Sequence, residues 1–471
     1  MSRYSIVSLF SGAGGLDLGF TQTGLFRIVF ANDILAQASK TYSENFGLKL
    51  EACRNGDTAE ASPGKVLACD VSQVDFSGLR DAGADLVVGG PPCQDFSIVR
   101  GPSWDRRGIE VKRGRLYAHF VRALAVLQPK IFVFENVPGL VSANEGLAYK
   151  VILEDFANLK IRWPEVVREL PGAGNGASGS VEGYEIAFAG VVDFSRLGVP
   201  QKRERLIIIG VRRDLVRDLT ALWSVRARLQ RALSGRDWLF HKYPLTPIEV
   251  LEGRRLDELA DKYREVMAKW SGVWDEVGTQ QAMEWKRRVW DKLTFDVVKD
   301  YLFANGAKPS SGEELEEALS QHEQVLRELG YYGRPVYTLK PPDGSNDLPK
   351  EDPEVVERMR MIPPGENHEF VRGTKWEVEG RGISLVYRRI HPLKPSYTIV
   401  AYGGGGTHGY HYDRDRATLT LREKARLQTF PDDFMFYGRR TDVRAQIGEA
   451  VPPLAAKRIA MAVAEVLDVL G

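Results

Sequence analysis

Six short apolar runs within the first 211 residues constrain the fold of this chain more than any other feature. They are YSIVSLF (4–10), FRIVFAND (26–33), DLVVGG (85–90), IFVFENV (131–137), YEIAFAGV (184–191) and RLIIIGV (205–211), all rich in Val, Ile and Phe. Runs of this length and composition read as strands. Between the third and fourth, RLYAHFVRALAVLQP (115–129) spaces its apolar residues as a helix does and stops at Pro129. Strand–helix–strand alternation predicts an α/β fold, a doubly wound, mostly parallel sheet with helices on both faces.

The texture changes after Asp214. LDELADKYREVMAKW (256–270) and GEELEEALSQHEQVLREL (312–329) are charged helical patterns, residues 331–412 are irregular, and TLREKARLQTF with AVPPLAAKRIAMAVAEVLDVL returns to compact helices. The expected organisation is an α/β domain over 1–214, a second, smaller domain over 215–412 with a helical insertion at about 250–330, and a segment 413–471 that rejoins the first. PGAGNGASGSVEG (171–183) reads as a Gly/Ser-rich surface loop.

Composition narrows the class without naming it. The 471 residues are 43% hydrophobic and 27% charged, with formal net charge +1. Near-neutrality neither announces nor excludes a nucleic-acid partner, because local basic patches act inside a neutral total. No run approaches the ~18 apolar residues of a membrane span. Glycines and an aspartate break up MSRYSIVSLFSGAGGLD too early for a signal peptide. Three cysteines, Cys53, Cys69 and Cys93, make no CxxC pair and no disulfide framework, which predicts a reducing cytosol. The seven histidines form no metal-ligand cluster.

Four motifs carry chemistry. LFSGAGGLDLGF (9–20) is a strand, a glycine-rich turn and a helix start, where backbone N–H groups meet a ligand. Gly12 and Gly14 fit a dinucleotide fingerprint, but Asp17 stands at the third glycine. Asp33 ends the next strand about 20 residues on, where an acid commonly holds ribose hydroxyls, and Asp70 follows another short strand. Together these outline an adenosine pocket rather than a dinucleotide site. GGPPCQDFS (89–97) places Cys93 just past the carboxyl end of a buried-type strand, the edge where open α/β sheets bind ligands. Its prolines hold the loop in shape. IFVFENVPG ends a neighbouring strand in Glu135, so Cys93 and Glu135 face one crevice if the strands are parallel. In GVPQKRERLIIIG (198–210), Arg203 and Arg205 precede a further strand; the expectation is that alternation sends one to the crevice and the other to bulk or a phosphate, with Lys202 and Glu204 solvated.

LFSGAGG, GGPPCQDFS, ENVPG, GVPQKRER, TLTLREKARLQTFPDDF (418–434) and IGEAVPP (447–453) stand in the order seen in DNA (cytosine-5) methyltransferases of the bacterial restriction-modification type, which this chain resembles over nearly all of 1–214 and 384–471. The resemblance implies a Rossmann-like methyltransferase sheet, mostly parallel but mixed, with a target-recognition domain. It implies Cys93 as the nucleophile that adds to cytosine C6, Glu135 as the acid at N3, Arg205 at the base O2, and Arg203 bracing the site or neutralising phosphate. S-adenosyl-L-methionine is the implied methyl donor, leaving S-adenosyl-L-homocysteine, with no metal. Its implied contacts are Phe10, Ser11, Gly12, Gly14, Gly15, Asp33, Ile34, Asp70, Val71, Pro91, Leu116, Glu449, Ala450 and Val451. Phe10 would stack on adenine, Asp33 bind the ribose, Asp70 the adenine amino group, and Leu116 cover the ring. The implied partner is double-stranded DNA with the target base flipped out. Implied DNA contacts are Gln94, then Ser97, Arg100, Arg106, Arg107 and Arg113 in a loop (97–115) whose six arginines and lysines outnumber its two acids, and Thr398, Ile399 and Tyr402 near the end of the recognition region. A cognate restriction endonuclease, a cytoplasmic (bacterial cytosol) location, no membrane and a monomeric state complete the expectation.

Two positions depart from the family pattern. Glu449 replaces a common Asn, and Ser8 stands where an aspartate often precedes Leu-Phe. A transfer-RNA cytosine-5 methyltransferase shares PPCQ and ENV but characteristically carries a Cys-Phe-Thr element, and this chain has no cysteine after Cys93. A catalytically silent DNA-binding relative would lack the nucleophile or the acid; both are present.

Overall fold

The computed structural model describes residues 3–53, 58–92, 116–159, 182–378, 386–402, 406–407 and 409–470. Contacts within the chain divide it into two compact units: 1–193 with 204–237 and 455–471, and 194–203 with 238–454. These borders differ from the expected ones at 214 and 412. The stretch 413–454 belongs to the second unit because its side chains bond there. Arg426 donates to the Val250 carbonyl at 2.8 Å, and the Tyr331 hydroxyl to the Phe430 carbonyl at 2.6 Å. Helix Pro453–Leu470 rejoins the first unit, where Asp468 accepts the Tyr4 hydroxyl at 2.5 Å.

The six apolar runs are strands of the first unit. Its sheet has eight strands in the order β3-β5-β2-β1-β7-β8-β10-β9. In chain order these are β1 (Tyr4–Leu9), β2 (Phe26–Asp33), β3 (Lys49–Ala52), β5 (Lys65–Ala68), β7 (Leu86–Gly89), β8 (Ile131–Asn136), β9 (Tyr184–Asp193) and β10 (Glu204–Arg212); β4 (Ala59–Glu60) and β6 (Val74–Asp75) form a small separate pair. Neighbours from β3 to β8 run parallel, while β10 is antiparallel to both β8 and β9. Helices α1 (Gly15–Thr21), α2 (Ala36–Phe46), α3 (Leu116–Leu127) and α4 (Leu147–Asn158) accompany it. The rings of Phe120, Phe132, Phe134, Phe156 and Tyr184 meet at centroid distances of 4.7–6.0 Å between α3, α4 and the sheet. Each such aromatic pair adds about 0.5–1.5 kcal/mol beyond area burial.

One expectation about the cysteines is overturned. Cys53 and Cys69 are joined as a disulfide. Each follows one of two adjacent parallel strands, β3 and β5, and the Cys53 N–H donates to the Ala68 carbonyl at 3.3 Å. Strand pairing brings together two residues 16 apart, which no local spacing rule reveals.

The second unit is helices, up to the 17 residues of Gly312–Glu328 among the described residues, joined by irregular chain. Irregular backbone leaves carbonyls without ladder partners, and buried arginines supply the donors. Arg389, fully buried, donates to the carbonyls of Ile362 and Asp413 at 2.7 and 2.8 Å, and Arg422 to the Phe434 carbonyl at 2.9 Å.

Candidate active site

The strand order turns back at β1, which has β2 on one side and β7 on the other. The crevice at the carboxyl ends of such strands is where an α/β sheet takes a ligand. After β1, Phe10 and Gly12 both hold positive φ, 54° each. That conformation is strained for phenylalanine and natural for glycine. A side chain on Gly14 would strike the Phe46 ring at 2.4 Å, so the turn packs directly on α2. The Asp33 carboxylate at the end of β2 accepts the N–H groups of Gly12 and Leu35, both at 2.8 Å. Ile34 beside it is 64% exposed. Asp70 caps a short turn, accepting the Ser72 N–H at 2.9 Å, with Val71 buried behind it. Among the described residues the buried Ser11 hydroxyl has no hydrogen-bond partner, and the space beside Gly12 is open. Open backbone beside two carboxylates is a set that a nucleoside with a polar tail fits. Leu116, half-buried, begins α3.

The glycines of GGPPCQ act by what they leave out. A side chain on Gly89 would meet the Leu9 carbonyl oxygen at 2.3 Å, and one on Gly90 the Glu135 carboxylate at 2.6 Å. The first lets β7 lie against β1; the second gives the carboxylate its place. Asn136 fixes the same loop, donating from its amide to the Pro91 carbonyl at 3.0 Å. Cys93, Gln94, Ser97, Arg100, Arg106, Arg107 and Arg113 lie outside the described residues.

Because β10 runs against β8, its beginning lies at the strand edge where β8 ends, with Leu206 opposite Asn136. Arg205 therefore reaches Glu135, Nε to carboxylate at 3.0 Å, and also donates to the Glu204 carbonyl at 2.7 Å.

Of the two roles expected of Arg203, bracing and phosphate contact, its bonds match the first. It is 1% exposed and donates to the carbonyls of Gly448 and Ala450, both at 2.9 Å, and of Ile399 and Glu449 at 3.4 Å. Buried among carbonyls within the second unit, it offers nothing to a phosphate. Neither arginine is exposed, whereas Lys202 and Glu204 are. Gln201, which the sequence reading passed over, is fully buried. Its amide accepts the Ile399 N–H at 2.9 Å and donates to the Leu427 carbonyl at 3.2 Å. Its place in the alternating Gln-x-Arg-x-Arg run was the available signal, as was Asn136's place beside Glu135.

In the second unit, Thr398 donates to the Lys202 carbonyl at 2.7 Å and Tyr402 is 59% exposed. Ile399 is 6% exposed. Glu449 is exposed at the end of helix Arg440–Glu449, followed by half-buried Ala450 and buried Val451. Among the described residues no three His, Cys, Asp or Glu side chains gather as metal ligands, and no helix is long and apolar enough to cross a membrane.

The sheet, with its crevice at the carboxyl ends of the strands, is an α/β fold of the Rossmann-like class. The chain belongs to the C-5 cytosine-specific DNA methylases, whose family model matches residues 4–163 and 180–465. It is 72% identical over 469 residues to the DNA (cytosine-5-)-methyltransferase M.ApeKI of Aeropyrum pernix, covering 99% of this chain and 100% of that protein. It is 32% identical to the type II methyltransferase M.NgoFVII of Neisseria gonorrhoeae, over 98% of this chain and 87% of that one. Its fold is similar to that of a prophage-encoded DNA modification methyltransferase (E. coli), with TM-score 0.53, 20% identity and 99% of each chain covered. The chain is thus a DNA (cytosine-5-)-methyltransferase whose methyl donor is S-adenosyl-L-methionine.

Proposed function

We propose that the enzyme methylates a cytosine flipped out of duplex DNA, at a specific sequence, through a covalent bond between Cys93 and C6. Cytosine C5 is a poor nucleophile. Addition of the Cys93 thiolate to C6 pushes electron density toward C5 and N3. Glu135, in its neutral carboxyl form, hydrogen-bonds to N3 and hands its proton to it as the thiolate adds. Arg205 carries more N–H donors than Glu135 and the Glu204 carbonyl take up, which leaves some for the base O2. When bound, S-adenosyl-L-methionine supplies a methyl group on a sulfonium, to which C5 is the nucleophile. Loss of the C5 proton to water and departure of the Cys93 sulfur as thiolate, with N3 returning its proton to Glu135, then release 5-methylcytosine.

Phe10, Ser11, Gly12, Gly14, Gly15, Asp33, Ile34, Asp70, Val71, Pro91 and Leu116 hold the donor in this reading, with Glu449, Ala450 and Val451. Gln94, Ser97 and the arginines at 100, 106, 107 and 113 engage phosphates, as basic loops do. Thr398 and Tyr402 belong to the recognition surface. The enzyme works as a cytoplasmic monomer beside a cognate endonuclease whose site it protects; the type II relatives support this role.

The observation that carries the catalytic assignment is the Glu135–Arg205 pair at the edge where β7 and β8 end, with Gly90 clearing the space for it. Expression in a methylation-free host followed by bisulfite mapping tests it. One methylated motif is expected from the native chain, and none from Cys93→Ala, which should still bind S-adenosyl-L-homocysteine. Turnover by Cys93→Ala would remove the covalent mechanism.

A further inference from the structure

The turn that presents Asp70 and Val71 is held from two sides by residues with no assigned role. Upstream, Cys69 is bonded to Cys53, its N–H donates to the Asp33 carbonyl at 2.8 Å, and its carbonyl accepts the Asn32 amide at 2.9 Å. Downstream, Arg122 reaches out of α3. Its two terminal nitrogens donate to the carbonyls of Val71 at 2.7 Å and Val74 at 2.9 Å, and its guanidinium lies 4.7 Å over the Phe76 ring. Arg122 is 2% exposed and Phe76 is 1% exposed.

Burying a guanidinium is costly unless its donors are met. An aliphatic residue would pack α3 against Phe76 equally well. What arginine adds is two directed bonds fixing a turn that lies outside the eight-stranded sheet. The disulfide adds a covalent link from the residue before Asp70 to the chain after β3. A ledge fixed in advance loses no freedom when a ligand lands on it.

We propose that Arg122 and the Cys53–Cys69 disulfide are positioning elements for the cofactor, pre-setting the Asp70–Val71 turn so that cofactor affinity, and not methyl transfer itself, depends on both. This rests on the reading of Asp70 and Val71 as adenine contacts. It makes cofactor affinity redox-dependent: a dithiol such as dithiothreitol reduces the Cys53–Cys69 bond to two thiols and leaves as its own cyclic disulfide.

The test uses the full chain well below its melting temperature, with KM for S-adenosyl-L-methionine, KM for DNA and kcat at saturating cofactor measured together. Arg122→Gln, Cys53→Ser and the dithiothreitol-reduced native enzyme should each raise the cofactor KM roughly tenfold, the usual scale for residues that orient a ligand's direct contacts. DNA KM and saturated kcat should stay within about a factor of two, the pattern of a change confined to cofactor binding. Arg122→Lys, which keeps the charge and can reach one carbonyl, should recover part of the loss. Asp70→Ala serves as reference. If Asp70→Ala leaves the cofactor KM unchanged, the adenine reading is wrong and the inference goes with it. If Asp70→Ala raises the KM while Arg122→Gln and reduction do not, the inference alone is wrong. An equal fall in kcat with either substrate saturating would also overturn it, since that marks general loosening.

Discussion

An alanine at position 90 would set its methyl carbon 2.6 Å from the Glu135 carboxylate, whereas at Gly139, in the same ENVPG region, an added carbon meets nothing within 4 Å. Gly90→Ala should therefore lower kcat by about a hundredfold, the scale of an ångström's misplacement, while Gly139→Ala stays near native. Steady-state methylation of a duplex substrate separates the two. Asp17 provides a second residue-scale prediction. It is fully buried, accepts the Ser8 hydroxyl at 2.9 Å, and burial pushes its pKa up to about 7. The folded carboxyl keeps its proton to higher pH than the unfolded one, so its contribution is complete below about pH 4 and is lost as pH rises toward 7. At about 1.4 kcal/mol per pKa unit the loss is on the order of 4 kcal/mol. Urea midpoints should fall between pH 4 and 7 in the native chain and flatten in Asp17→Asn. Chemistry was legible at this scale where a charged residue ended an apolar run, as Glu135 does. The Glu135–Arg205 bond was not, since 70 residues of chain separate them. Nor was the use of Ser8, whose hydroxyl serves a buried acid rather than a ligand.

At the scale of elements, the Gln-x-Arg-x-Arg run shows period two working across a boundary. Gln201 and Arg203 are buried and Lys202 and Glu204 exposed, and the strand proper then carries Arg205 to Glu135. Arg203 acts as a splice between the chain at Ile399 and the end of helix Arg440–Glu449 with Ala450. Arg203→Ala leaves several buried carbonyls without a donor and should destabilise the protein by about 3 kcal/mol or more. Denaturant unfolding checks this, with Arg203→Lys recovering part. All six strands read from apolar runs are present. Three short ones, β3, β4 and β6, escaped notice because a strand of two to four residues has too few positions to show a pattern. The direction of β10 escaped too. Apolar content shows that a strand is buried, not which way it runs.

At the scale of the whole molecule, the chain leaves the first unit at Phe194, returns at Glu204, leaves again after Asp237 and returns for its last helix. Texture changes at 214 and 412 marked where composition shifts, but compactness follows side-chain contacts, and these run on past both points. The disulfide is the same lesson in covalent form, two cysteines unremarkable in sequence and joined by strand pairing. By itself the sequence determined the strand–helix alternation, the glycines that keep the crevice free of side chains, and the residue types at its edge, because these depend on local sterics and on burial of apolar runs. Only the tertiary structure decided which acid meets which arginine, which guanidinium is spent on backbone carbonyls, which isoleucine is buried, and which cysteines join. Those depend on distances between segments far apart in the chain, which packing alone sets.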